Sequence, residues 1–173
     1  MESATDTTQR TGLEQVRAIF SAGSARGIGK TMRFKGTSAN EDVVVLEGLP
    51  DEDNPLGAVH GGYAATMLDA AMGLAVHTTI PRDSGYSTVD LNVTYLKSLR
   101  ADRSPVTAKG RAIHVGRRIV AREARLTDRQ GRLCARATSH VYDRGEGRPQ
   151  LIGQPLNALK NMRTRTDQGD AIA

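Results

Sequence analysis

The chain is 173 residues long, with 24 Lys+Arg against 19 Asp+Glu for a net charge of +5, 3% aromatic residues, no Trp and one cysteine. That length suits about one domain with its own core, and Cys134 alone excludes an intrachain disulfide, while the scattered His60, His77, His114 and His140 offer no metal site. No apolar run approaches the roughly 20 residues that cross a bilayer, and MESATDTTQRTG lacks the basic-then-apolar start of a signal peptide, so a soluble, cytoplasmic protein with no membrane partner is expected.

In chain order, residues 1–11 read as a disordered leader. A short amphipathic helix follows, with Leu13, Val16, Ile19 and Phe20 on one face and Gly23 as its stop. Thr31 to Thr37 and Asp42 to Leu49 are strand-like and flank the turn-prone SANE, which predicts a hairpin. The Gly/Pro-rich loop GLPDEDNPLGAVHGG then delivers the chain to a helix of about 61–78, apolar on nearly every side. Beyond it Val89, Leu91, Val93 and Tyr95 alternate with Thr88, Asp90, Asn92 and Thr94, the period of a half-buried strand. Runs at 105–114, 117–127 and 132–142, separated by HVGR and DRQG turns, predict an antiparallel meander. Past Asp143 the chain turns polar; 144–173 reads as a mobile tail with a weak helix at 156–163.

These elements predict one α+β domain over 12–143, with a long central helix across the concave face of an antiparallel sheet of about five to six strands. A helix that is greasy all round needs more cover than one sheet gives, so its far side is expected to meet a second copy of the chain. GSARGIGKT at 23–31 resembles a phosphate loop, but Ser24 stands where the first Gly belongs, and MRF reads as the start of a strand instead of a helix. Its glycines are read as a helix stop and a turn.

Within the apolar helix Asp69 is out of place. His60, Gly61 and Gly62 precede or open that helix, where first-turn amides are unpaired and the dipole is positive. Such amides suit a thioester carbonyl and the negative charge that develops on it. Asp69 stands eight residues from Gly61, about 12 Å at 1.5 Å per residue. One chain cannot join the two; two antiparallel helices at a dimer interface can, which predicts a composite site. The plain alternatives are a polar pin for Asp69, bonded to backbone or paired with an Arg, a capping role for His60, and close helix packing for the glycines.

NPLGAVHGGYAATMLDAAMG, then GYSTVDLNVTYLKSLR and the turn HVGRR, resemble the hot-dog-fold acyl-CoA thioesterases, in particular the phenylacetate-degradation type, from about Val43 to Tyr142. The resemblance implies hydrolysis of an acyl-CoA thioester without a cofactor. It implies Asp69 as general base or nucleophile, the Gly61 amide as oxyanion donor beside Gly62, and His60 orienting the thioester end. It further implies Asn54 as a loop residue positioning water or carbonyl, Thr88 lining the site, and dimers with shared sites paired into a homotetramer.

The charge distribution gains a partner from the same resemblance. Residues 97–148 hold 14 Lys+Arg against 5 Asp+Glu. The scarcity of aromatics and the lack of a recognition helix argue against nucleic acid. The phosphates of coenzyme A are the implied ligand, with Arg117 and Arg118 as leading contacts and Lys97, Arg100 and Arg103 behind them. The alternatives are a non-catalytic acyl-CoA-binding or sensing module, which would not need Asp69, and a hot-dog hydratase or dehydratase, expected to carry a different His-loop and helix acid.

Overall fold

The computed structural model describes residues 11–23, 27–51, 57–81 and 84–146, with side chains through residue 142. The first helix, α1, runs Gly12–Ser21. Its start is fixed by a reciprocal cap, in which Glu14 N–H donates to Thr11 Oγ1 at 3.3 Å and Thr11 N–H donates to Glu14 Oε2 at 2.8 Å. Next comes a one-turn helix, α2, over Ile28–Thr31. The expected strand from Thr31 therefore begins only at Phe34, and Gly29 and Lys30 of the phosphate-loop lookalike lie in that helical turn.

Strands β1 (Phe34–Asn40) and β2 (Val43–Gly48) form the predicted hairpin. The long helix α3 spans Gly61–His77. After it come β3 (Ser84–Thr88), β4 (Asn92–Tyr95), β5 (Val106–Val115), β6 (Ile119–Thr127) and β7 (Leu133–Glu146). The described strands make one antiparallel sheet in the order β1-β2-β5-β6-β7-β3, with β4 also lying along β7. The sheet curls around α3 in the hot-dog arrangement, and β5–β6–β7 is the predicted meander.

Burial explains why the helix sits where it does. Met67, Leu68, Ala71, Met72 and Ala75 of α3 lose all solvent contact against Val44 and Leu46 of β2, Val106 and Ala108 of β5 and Leu126 of β6. Helix and sheet come closest at Gly110, where a Cβ would lie 2.3 Å from the Ala71 carbonyl carbon; only glycine lets the backbones meet. The opposite side of α3 carries Gly62, Ala65, Thr66, Asp69 and Ala70, none of them buried. No described helix is long and apolar enough to cross a membrane.

One strand departs from its expected form. The alternating run 88–95 is broken between Thr88 and Asn92, and Val89, Leu91 and Tyr95 are exposed at 61%, 40% and 55% instead of facing the core. Asp90 causes the break. Its carboxylate accepts from the backbone N–H of His140 at 2.9 Å and sits 2.8 Å from the His140 ring, taking a place in the ladder that a backbone carbonyl would fill. The His140 contact holds the Asp90 carboxyl below its ordinary range.

Candidate active site

The apolar register of β6 contains one exception. Val120, Arg122, Ala124 and Leu126 all point inward, and the Arg122 side chain is 0% exposed. Its Nη2 donates to Asp69 Oδ1 at 2.7 Å, to Thr88 Oγ1 at 3.0 Å and to Ser139 Oγ at 2.9 Å, while Nε donates to Ser139 Oγ at 3.0 Å. Ser139 stands directly opposite Arg122 in register and donates its own proton to the Asp90 carbonyl at 2.5 Å. The Asp69 side chain keeps 40% of its exposure, so the buried cation is met by a carboxylate that still reaches water. Gly73, one turn along α3, makes room for this: a Cβ there would lie 2.8 Å from Tyr86 Oη and 3.3 Å from Arg122 Nη1. Burial pushes the Tyr86 phenol up to about 12, so it stays a neutral hydroxyl beside the pair.

A cleft of about 670 Å³ opens from this group. Asp69, Thr88, Tyr86 and Arg122 form its polar end, and Ile19, Phe20, Ile28, Phe34, Leu46 and Leu74 its apolar remainder. The partly exposed Asp69 carboxylate therefore stands at the polar end of a trough whose remainder is mainly apolar.

The other end of α3 is built differently. His60 is the N-cap, and Gly62 N–H donates to His60 Nδ1 at 2.9 Å. The expectation that both glycine amides point free is therefore corrected: Gly62 is used by the cap, and only the Gly61 amide makes no hydrogen bond among the described residues. Both glycines also have packing reasons. A Cβ on Gly62 would lie 2.9 Å from His60 Nδ1, and one on Gly61 3.3 Å from the Tyr95 ring, whose hydroxyl donates to the Gly61 carbonyl at 3.0 Å. Lys97 lies by this end, in a shallow recess of about 250 Å³ with Val59, Tyr95 and Leu99.

The structure thus brings Asp69 and Thr88 together and keeps His60, Gly61 and Gly62 apart from them. Asn54 lies outside the described residues. Arg117 and Arg118 are exposed at the β5–β6 turn, whereas Lys97, Arg100 and Arg103 lie past the other end of the meander, by the β6–β7 turn, where Arg129 N–H donates to the Arg103 carbonyl. The nine residues of β6 separate these groups by on the order of 27 Å at about 3.3 Å per residue, so the basic run is two clusters. Arg100 is also committed in part, with Nε 3.2 Å from Asp102.

Arg122, Ser139, Gly73 and Tyr95 escaped the sequence reading. Strict alternation could have found Arg122, which shares the inward set with Val120, Ala124 and Leu126. No comparable signal marks Tyr95, because the break at Asp90 resets the strand on which it stands.

Comparison with known proteins gives this arrangement a family. The Thioesterase superfamily model matches residues 56–135. A 1,4-dihydroxy-2-naphthoyl-CoA hydrolase of Listeria monocytogenes is 30% identical over 91 residues, 53% of this chain and 72% of that protein. A Halobacterium salinarum protein carrying an esterase name is 50% identical over 48 residues, 27% of this chain and 32% of its own length. The fold of a hypothetical thioesterase protein of Streptococcus pneumoniae, solved with coenzyme A, superposes with a TM-score of 0.61 at 25% identity, covering 67% of this chain and 92% of that one. Helix, sheet and sequence together define a hot-dog fold. The chain belongs to the thioesterase superfamily.

Proposed function

We propose that this protein hydrolyses an acyl-CoA thioester, with Asp69 of one subunit and the Gly61 amide of a second forming each site. The observation that carries the reading is the half-exposed Asp69 carboxylate at the mouth of the apolar cleft, with Oδ1 tied to Arg122 and Oδ2 making no hydrogen bond among the described residues. A carboxylate so held either activates water or attacks the acyl carbon, while an amide at a helix start stabilises the oxyanion. Thr88, its oxygen already accepting from Arg122, lines the same space and keeps its own proton for another acceptor. Coenzyme A in the Streptococcus pneumoniae relative supports the ligand class.

The shared site rests on helix geometry. Asp69 and Gly61 stand eight residues apart on one unbroken helix, about 12 Å. The uncovered strip of small residues on α3 and the exposed Val89, Leu91, Tyr95 and Leu96 near the sheet edge suit an antiparallel second copy. In that arrangement the Arg117–Arg118 turn, at the C-terminal end of α3, approaches the partner's Gly61 end, where Lys97 and Arg100 lie. This fits coenzyme A phosphates held from both chains, with a cytoplasmic homotetramer of the phenylacetate-degradation type as the full assembly.

Release of free thiol from a panel of aromatic and aliphatic acyl-CoAs tests the activity. Tight binding without turnover for every member would favour the sensing module instead. The shared site is tested by mixing Asp69→Ala with Gly61→Pro chains. Proline is tolerated at the first helical position and removes the amide, with Tyr95 yielding by a few tenths of an ångström to the added ring. Each mixed dimer would regain one intact site, or about a quarter of wild-type turnover after random exchange; mixtures as inactive as both parents would exclude it.

A further inference from the structure

Arg122 is buried in the core, and the hydrolysis described above makes no direct use of it. We infer that Arg122 is a positioning residue: it ties Asp69 by one carboxylate oxygen and Thr88 by its hydroxyl oxygen, so that Asp69 Oδ2 and the Thr88 proton face the reacting centre. The inference rests on the acyl-CoA hydrolysis proposed for this site.

Burial is the first reason. A guanidinium removed from water is strongly unfavourable unless its N–H groups meet acceptors and its charge meets an anion. A pin that served packing alone would bury both partners. Here the cation is 0% exposed and the anion 40%, the exposed part opening on the cleft. The buried member anchors and the open member is free to act.

The bonding pattern is the second. Arg122 meets Asp69 at one oxygen instead of forming the two-point fork that maximises an Arg–carboxylate pair, which leaves Oδ2 available. Thr88 is an acceptor toward Arg122, so its own proton must point elsewhere. From the sheet side, Ser139 accepts from both Nε and Nη2 and is itself locked to the Asp90 carbonyl, which sets the guanidinium plane. Only a planar, multi-donor group spans Ser139 on β7, Thr88 on β3 and Asp69 on α3; a lysine ammonium does not. The arrangement leaves Nη1 buried without a partner among the described residues, against the bare backbone of Gly73.

Steady-state kinetics on the full chain test this. Arg122→Met should lower kcat roughly 10²-fold, as for a reacting group misplaced by about 1 Å, with KM within about twofold. Arg122→Lys should recover part of the loss, and Asp69→Asn/Arg122→Met should be no slower than Asp69→Asn, because a positioning residue has nothing to position once Asp69 is gone. A change in KM with kcat intact, or losses that multiply in the double variant, would overturn the inference. If Arg122→Met does not fold, Ser139→Ala decides. A fall in kcat of about tenfold at constant KM supports the role, and an unchanged kcat overturns it. A wild-type protein that releases no thiol from any acyl-CoA defeats the functional reading as well, whereas wild-type turnover abolished by Asp69→Asn but indifferent to Arg122 defeats this inference alone.

Discussion

The two candidate functional regions of α3 are made by different means. The His60–Gly61 end is local: cap and amide lie two residues apart, and the histidine serves the helix it opens. The Asp69 region is long-range. Its key bond joins residues 53 apart in sequence, and three strands supply Arg122 and the Thr88 and Ser139 acceptors that orient it. The first region is vulnerable chiefly to changes within one turn of helix, with Tyr95 of β4 as its one described side-chain tie to the sheet. The second has the opposite sensitivity.

Perturbing each region separately sharpens that contrast. Asp69→Asn keeps the shape and removes the proposed base, so kcat/KM should fall by about 10³–10⁴-fold, and the unfolding midpoint should fall too because the buried Arg122 guanidinium loses its anion. Gly61→Pro strikes the local end and should lower kcat by about 10²-fold with the Asp69 cluster intact, checked by thiol release and circular dichroism. Gly110→Ala attacks what holds both regions to one frame. A methyl 2.3 Å from the Ala71 carbonyl carbon forces helix and sheet apart, and denaturant unfolding should register a loss of about 1–3 kcal/mol.

Smaller effects are expected at the helix ends. His77 closes α3 fully buried, with Nε2 2.9 Å from Gln15 Oε1 and Nδ1 without a partner among the described residues. Burial lowers its pKa from 6.5, so the unfolded chain takes up the proton first as the pH falls. The His77 contribution is therefore complete above about pH 6.5 and is lost progressively below it, levelling off beneath the folded pKa. Urea unfolding between about pH 5 and 8 should show this slope, and His77→Gln should flatten it. Tyr95→Phe removes one hydrogen bond to the Gly61 carbonyl, and thermal unfolding should register about 1 kcal/mol or less.

Legibility in the sequence divides along the same line. The helix from Gly61, the hairpin and the meander are readable because each rests on period and turn chemistry within a dozen residues. His60, Gly61 and Asp69 are readable as a pattern, and helix rise alone separates them. The features that resist reading are tertiary. The Asp90 carboxylate interrupts a run whose alternation looks continuous, since its partner His140 lies 50 residues away. His60 takes the Gly62 amide in the capping role that the sequence offers as its plain alternative, and what residue type does not reveal is that this occupies one of the two glycine amides. Arg122 is a partial case: alternation with Val120, Ala124 and Leu126 marks it as inward, but its partners Ser139 and Asp69 come only from register and packing.

The unbroken α3 also acts as a ruler. Losing one residue between Gly61 and Asp69 would shorten their separation by about 1.5 Å and swing the carboxylate about 100° around the helix axis, off Arg122 and out of the cleft. Side chains along that span can drift over evolutionary time as long as size and polarity are kept. Its length cannot, so insertions and deletions among descendants of this chain should be confined to the segments before His60 and after His77.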